Sequence, residues 1–263
     1  MTNPSHEADV SMFSVGTILG HTFSTFFKQP LVFIGLLLAS APLLIILTLV
    51  LGDIIASVIY AIFILAFQCV VAYSVYEVLR GNTVRFGKVL SLGMARVGPA
   101  ILVALSIIAV FFLIGGLGGA VVFIATMLGA DLLALFIVVP LVSFIVTWMI
   151  CKFAVAVPVC AIEGLGPIES LKRSSELTKG CLLKISVLYV LYSIISALMG
   201  IVVILASIIM PGFFSNLLSL IVGATSMSLG YVMAAIIYFG LREIKEGFSV
   251  DESGTGNRDP LPR

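Results

Sequence analysis

The residues able to do chemistry are few in this chain, and they do not converge. Its two histidines, His6 and His21, both lie near the N-terminus. Its four cysteines, Cys69, Cys151, Cys160 and Cys181, form no CxxC pair and have no histidine at metal-ligand spacing. That spacing argues against a zinc site, and reduced structural thiols are the expectation. No Ser/His/Asp set, HExxH or paired carboxylate faces one site. The sequence therefore assigns no catalytic residue, no metal ligand and no cofactor.

Polar groups inside the long apolar runs are rarer still. Gln68 is the lone amide, and an interhelical hydrogen bond of about 1 kcal/mol is its expected role. Glu77 falls near the end of a run beside Arg80, where headgroups or solvent would receive it. Lys152 follows another run and can extend its ammonium to the interface. Gly115 and Gly119 stand at i and i+4, and Ser196 and Gly200 repeat that spacing, so close helix approach is expected there. Pro42 and Pro140 should kink the runs that contain them by removing backbone donors. A proton relay or ion-coupled pump needs more ionisable groups than these.

The elements that must position these residues follow from composition. Of 263 residues, 61% are hydrophobic and only 10% charged, and the mean hydropathy is +1.26. Soluble domains are about 45–50% apolar and about 25% charged, so a water-soluble fold is excluded, and disorder with it. The net charge of +1 lacks the basic surplus of a nucleic-acid binder. A hydrocarbon core of ~30 Å needs about 20 helical residues. The stretches Leu31–Leu51, Ile54–Leu79, Ala100–Leu128, Leu132–Cys151, Leu182–Met210 and Leu217–Gly240 qualify. They are apolar on every side, which fits helices and not the alternating strands of a barrel.

The placement of Lys and Arg gives the orientation. All 14 fall before the first span, between spans two and three, between four and five with Lys184 at the very start of span five, or after six. The other links carry only Asp53, Asp131 and the turn Pro211-Gly212. The expectation is an all-α, polytopic protein of the cell (inner or plasma) membrane with six transmembrane helices and both termini cytoplasmic. The first apolar stretch is too long for a signal-peptide core. A membrane domain over 1–246 and a disordered cytoplasmic tail over 247–263 complete the organisation.

Each basic link also carries a glycine, an amphipathic stretch and a helix breaker. Gly16, Gly87 and Gly166 recur at intervals of roughly 70–80 residues, suggesting three copies of one unit: an interfacial helix and a transmembrane hairpin, over about 13–79, 84–158 and 166–241. In the first copy Val15, Ile18, Leu19, Thr22, Phe23 and Phe26 share a face that suits the acyl boundary. In the second, Phe86, Val89, Leu90, Met94 and Val97 point inward, with Arg85, Lys88 and Arg96 outward toward anionic lipid. The third is more polar. Glu169–Arg173 and Lys172–Glu176 are i, i+4 pairs worth about 0.2–0.5 kcal/mol each, Pro167 suits the first turn and Gly180 the exit.

The stretch Ile162-Glu-Gly-Leu-Gly-Pro-Ile-Glu-Ser-Leu-Lys-Arg-Ser-Ser-Glu-Leu-Thr-Lys-Gly180 resembles a signature of the membrane domain attached to some bacterial glycerophosphoryl diester phosphodiesterases, and of YciC-like integral membrane proteins. The matching positions are Pro158, Glu163, Gly164, Ser170, Leu171, Arg173, Ser174, Leu177, Thr178 and Gly180, while Ser175 replaces the family's aromatic. The closing element Tyr238-Phe-Gly-Leu-Arg-Glu-Ile-Lys-Glu-Gly247 is similar too. The resemblance implies a membrane domain; the family's phosphodiesterase activity belongs to a separate barrel domain with metal-binding acids and a histidine pair that nothing here supplies.

The expected function is accordingly non-catalytic: organising lipid, or docking a protein partner, through the basic amphipathic helices. Anionic headgroups at the cytoplasmic face are the expected partners, with no nucleic acid. The surface assigned to this role comprises Pro158, Glu163, Gly164, Gly166, Pro167, Leu171, Lys172, Arg173, Ser174, Leu177, Lys179 and Gly180. A small permease or exporter for an apolar or lipid-like substrate is the alternative, motivated by Pro42, Pro140 and the glycine cluster.

Overall fold

A computed structural model describes residues 14–82, 86–130, 134–209 and 212–247, and no strand occurs among them. The expectations placed on His6, Arg85, Asp131, Met210, Pro211 and residues 248–263 lie outside the described residues, as do those on the side chains of Phe86 and Lys88. The helices are α1 (Val15–Lys28), α2 (Pro30–Leu51), α3 (Asp53–Leu79), α4 (Phe86–Ala95), α5 (Val97–Met127), α6 (Val139–Phe153), α7 (Ala156–Glu163), α8 (Pro167–Thr178), α9 (Leu182–Ile209) and α10 (Phe213–Glu246). A π-helical turn, Ala134–Val138, runs directly into α6.

Among the described residues, five stretches are long and apolar enough to cross a membrane: Ile55–Leu79, Val97–Met127, Phe136–Glu163, Leu182–Ile209 and Phe213–Glu246. The chain is therefore a multi-pass membrane protein by length and composition. The 22-residue α2 occupies the place of the first expected span. Gly52 reverses the chain between α2 and α3 with φ +77°, a conformation in which a Cβ would crowd the following carbonyl.

Burial is concentrated at one end of the bundle. In α3 the run 66–76 is almost wholly buried, in α10 the run 232–239, and α7 is buried throughout except at Glu163. The charged links gather at this end, hereafter the basic end. Toward the opposite end large apolar side chains face outward, among them Leu49, Phe112, Phe123, Phe144, Ile208 and Phe213. Lipid, not water, suits such a surface.

Packing inside the bundle departs from several expectations. Helix α1 turns Ile18, Thr22, Thr25 and Phe26 inward and packs on α10, so most of its apolar face meets protein and only Phe27 is left fully outward. In α4 the inward positions are Val89 and Gly93, and Met94 is exposed. A Cβ on Gly93 would stand 2.4 Å from Val70 of α3, so the closest approach uses a residue that hydrophobic periodicity does not count. Between α5 and α6 the contact glycine is Gly118, where a Cβ would meet Val142 at 2.7 Å, while Gly115 and Gly119 look onto open space. Gly200 is open as well, whereas Ser196 bonds Ser226 across α9 and α10 at 2.9 Å.

Gln68 makes no hydrogen bond among the described residues. Tyr73 instead donates to the Ala161 carbonyl at 2.7 Å, Ser228 to Phe33 at 2.6 Å and Tyr192 to Ser226 at 3.0 Å. These donors are hydroxyls on faces too apolar to stand out in sequence. Pro140 falls in the first turn of α6, just after the π-helical turn, where the chain changes helical register. Pro42 is inside α2. All four cysteines are free and buried.

Candidate functional site

The signature stretch 158–180 forms α7, a three-residue link and α8, and these lie across the basic end. Gly166 precedes α8 and donates its N–H to Glu169 Oε2 at 3.4 Å, with Pro167 opening the helix. Glu169 thus serves the helix start, not the pair with Arg173. One face of α8 is buried: Ser170, Ser174, Leu177 and Thr178. Ser174 and Thr178 donate to the Lys152 carbonyl at 2.9 and 3.2 Å. That carbonyl belongs to the last turn of α6, where helix carbonyls lack intrahelical donors. Two hydroxyls one helical turn apart are therefore what allow α8 to sit on the end of α6.

The other end of α8 is fastened by α10. Lys245 Nζ donates to the carbonyls of Glu176 and Lys179, at 2.6 and 2.8 Å. A cation there complements the C-terminal end of the helix dipole. Gly180 then turns the chain into α9 with φ +86°.

A four-charge network joins α7, α8 and α10. Arg173 Nε donates to Glu163 Oε2 at 3.1 Å, and its other nitrogen pairs with Glu246. Arg242 Nε donates to Glu246 Oε2 at 2.9 Å and lies 3.8 Å from Glu163 Oε1. Tyr238 donates to Glu163 Oε1 at 3.0 Å and accepts from Arg242 at 3.1 Å. Burial alone would weaken the hold of Arg173 on its proton; Glu246 and Glu163 outweigh it and raise its pKa above the usual arginine range. The two arginines and two glutamates neutralise each other, so the network is a clasp and not a free cationic patch. Lys172–Glu176 and Glu169–Arg173 form no ion pair among the described residues; Arg173 turns instead toward α7 and α10.

Gly164 ends α7 in the left-handed conformation, φ +68°. A Cβ there would lie 2.8–3.0 Å from three atoms of the Arg96 guanidinium. The plane of Arg96 therefore rests on bare backbone, beside Tyr73 and Cys160. Arg96 is turned inward, not outward as its place in the amphipathic pattern suggests.

Of the residues assigned to a surface role, Pro158, Ser174 and Leu177 are buried, Glu163 and Arg173 are paired, and Gly164, Gly166, Pro167 and Leu171 are half-buried. Lys172, Lys179 and Gly180 are the exposed ones. Lys152 caps its span with its ammonium 5.0 Å above the Trp148 ring, and Glu77 accepts from Asn82 at 2.9 Å. Sequence reasoning left out Tyr73, placed Arg96 outward and gave Lys245 no partner. The signal for them was polarity at the end of an apolar run, which by itself does not reveal the partner. Comparison with family models, curated proteins and solved structures finds no match to this chain.

Proposed function

We propose that this chain is a non-catalytic inner-membrane protein that gathers anionic lipid at its cytoplasmic face. The proposal places six spans in the membrane, with α2 as the first, both termini cytoplasmic, and three copies of an interfacial helix plus hairpin: α1–α3, α4–α6 and α8–α10. It also takes the chain as a member of the phosphodiesterase-associated, YciC-like membrane family. Support for that membership is that the motif positions Glu163, Arg173, Ser174 and Thr178 each have a specific task in fastening α8, and Gly164 ends α7 in a conformation that favours glycine.

The observation that carries the lipid reading is the segregation of charge. Along the sequence every Lys and Arg lies in or beside the segments before the first span, between spans two and three, between four and five, or after six, the side that the positive-inside rule makes cytoplasmic. There the clasp consumes Arg173 and Arg242 but leaves Lys172 of α8, and Lys179 just past its end, exposed. Each basic residue near an anionic leaflet contributes about 1 kcal/mol.

Purification in mild detergent followed by lipid mass spectrometry tests this. Enrichment of phosphatidylglycerol or cardiolipin over the host membrane is expected. No enrichment, with a stoichiometric protein bound instead, would replace the lipid reading by partner docking. The alternative, a small exporter of an apolar substrate, is favoured by loose packing away from the basic end: only 6% of the most apolar window of α9 is buried, against 50% for α10. Saturable flux across vesicles would support it.

A further inference from the structure

We propose that Arg96 is the phosphate-binding residue of a discrete anionic headgroup site, built where α4 passes into α5 beneath the α7–α8 link. The inference rests on the lipid reading above and names the site at which it becomes selective. Arg96 is half-buried, and among the described residues it forms no ion pair. Glu163 is the nearest carboxylate in sequence to the Gly164 platform, but its oxygens are taken by Arg173, Arg242 and Tyr238. Tyr73 spends its proton on Ala161 and offers Arg96 only its oxygen. The carbonyl end of α7 supplies a partial charge of about −0.5, which leaves the guanidinium short of neutral.

The site is also held in place. Gly164, fixed in the left-handed conformation, gives the guanidinium a flat seat that any side chain would occupy. Gly93 locks α4 against Val70 one turn earlier, so both approaches to Arg96 are short of slack. A planar fork of donors at a fixed position suits the paired oxygens of a phosphate. It stands at the N-terminal cap of the span Val97–Met127, the place along a span where headgroups would meet it. By contrast Lys172 and Lys179 are flexible point charges that attract any anionic surface without distinguishing headgroups.

The ligand chemistry is a phosphate oxyanion, and the lipid headgroup is the proposed source. Spin-labelled phosphatidylglycerol and phosphatidylcholine would be compared on the full chain reconstituted in phosphatidylcholine vesicles. The native chain is expected to select phosphatidylglycerol, and Arg96→Gln to lose that selectivity roughly tenfold with its thermal midpoint near native. Arg96→Lys should keep the charge and recover only part of the selectivity. Should Arg96→Gln destabilise the fold, Gly164→Ala displaces the fork while leaving it present, and the same loss is expected. Lys172→Gln with Lys179→Gln should reduce only the salt-sensitive part of binding. Full selectivity in Arg96→Gln together with its loss in the double lysine variant would overturn the Arg96 site and leave the lipid reading standing. Absence of selectivity in the native chain would overturn both. Displacement of the lipid by millimolar inorganic phosphate would overturn the headgroup assignment.

Discussion

The residues of the basic end divide between those that fasten the fold and those left free to act outside it. Glu163 fastens most: one carboxylate receives Arg173 and Tyr238 and stands near Arg242. Glu163→Gln removes the charge that both arginines share and leaves them with Glu246 alone. A loss of about 1–3 kcal/mol is expected, read as a lower thermal midpoint in detergent. Glu246→Gln should cost less, because that side chain is 27% exposed against 16% for Glu163. Reversal of Lys172 to Glu should leave the midpoint unchanged, whereas Arg173→Glu should lower it sharply. The two neighbours look interchangeable in sequence. Whether a cation is spent or free depends on partners tens of residues away, here residue 246 for Arg173, and local spacing does not carry that.

At the scale of elements, boundaries were largely legible and faces only in part. Long apolar runs dictate long helices, and Pro167 and Gly180 mark the ends of α8 because each has a backbone preference that operates locally. Faces depend on the shape of the neighbour. Small residues earned a packing role in the sequence by their i, i+4 spacing at 115 and 119, yet it is Gly118 that meets Val142. Gly118→Leu should therefore destabilise by about 2 kcal/mol or more through overpacking, and Gly115→Leu should be nearly neutral, both read from thermal unfolding in detergent. The inward turn of Arg96 was illegible for a related reason: an amphipathic pattern assigns charged residues outward, and only the bare backbone at Gly164 lets this one fold in. Docking of α8 rests on two hydroxyls. Ser174→Ala combined with Thr178→Val should free its amides, seen as faster hydrogen exchange over 167–178 with exchange in α10 unchanged.

For the whole molecule, composition alone excludes a soluble fold, and the structure adds where the chain is firmly packed. The buried halves of α3 and α10 and nearly all of α7 meet at the basic end, so this end is the densely packed part, while the opposite end turns large apolar side chains outward. That division fits a protein that presents a fixed charged surface to one side of a membrane. Everything about its function depends on that surface facing the cytoplasm. The direct measurement is labelling in intact cells with a membrane-impermeant maleimide, using Asp53→Cys and Lys172→Cys in separate chains; the four native thiols are buried. Labelling of residue 53 in intact cells, and of residue 172 only after permeabilisation, is expected. Labelling of residue 172 from outside, or of both positions from one side, would contradict the account.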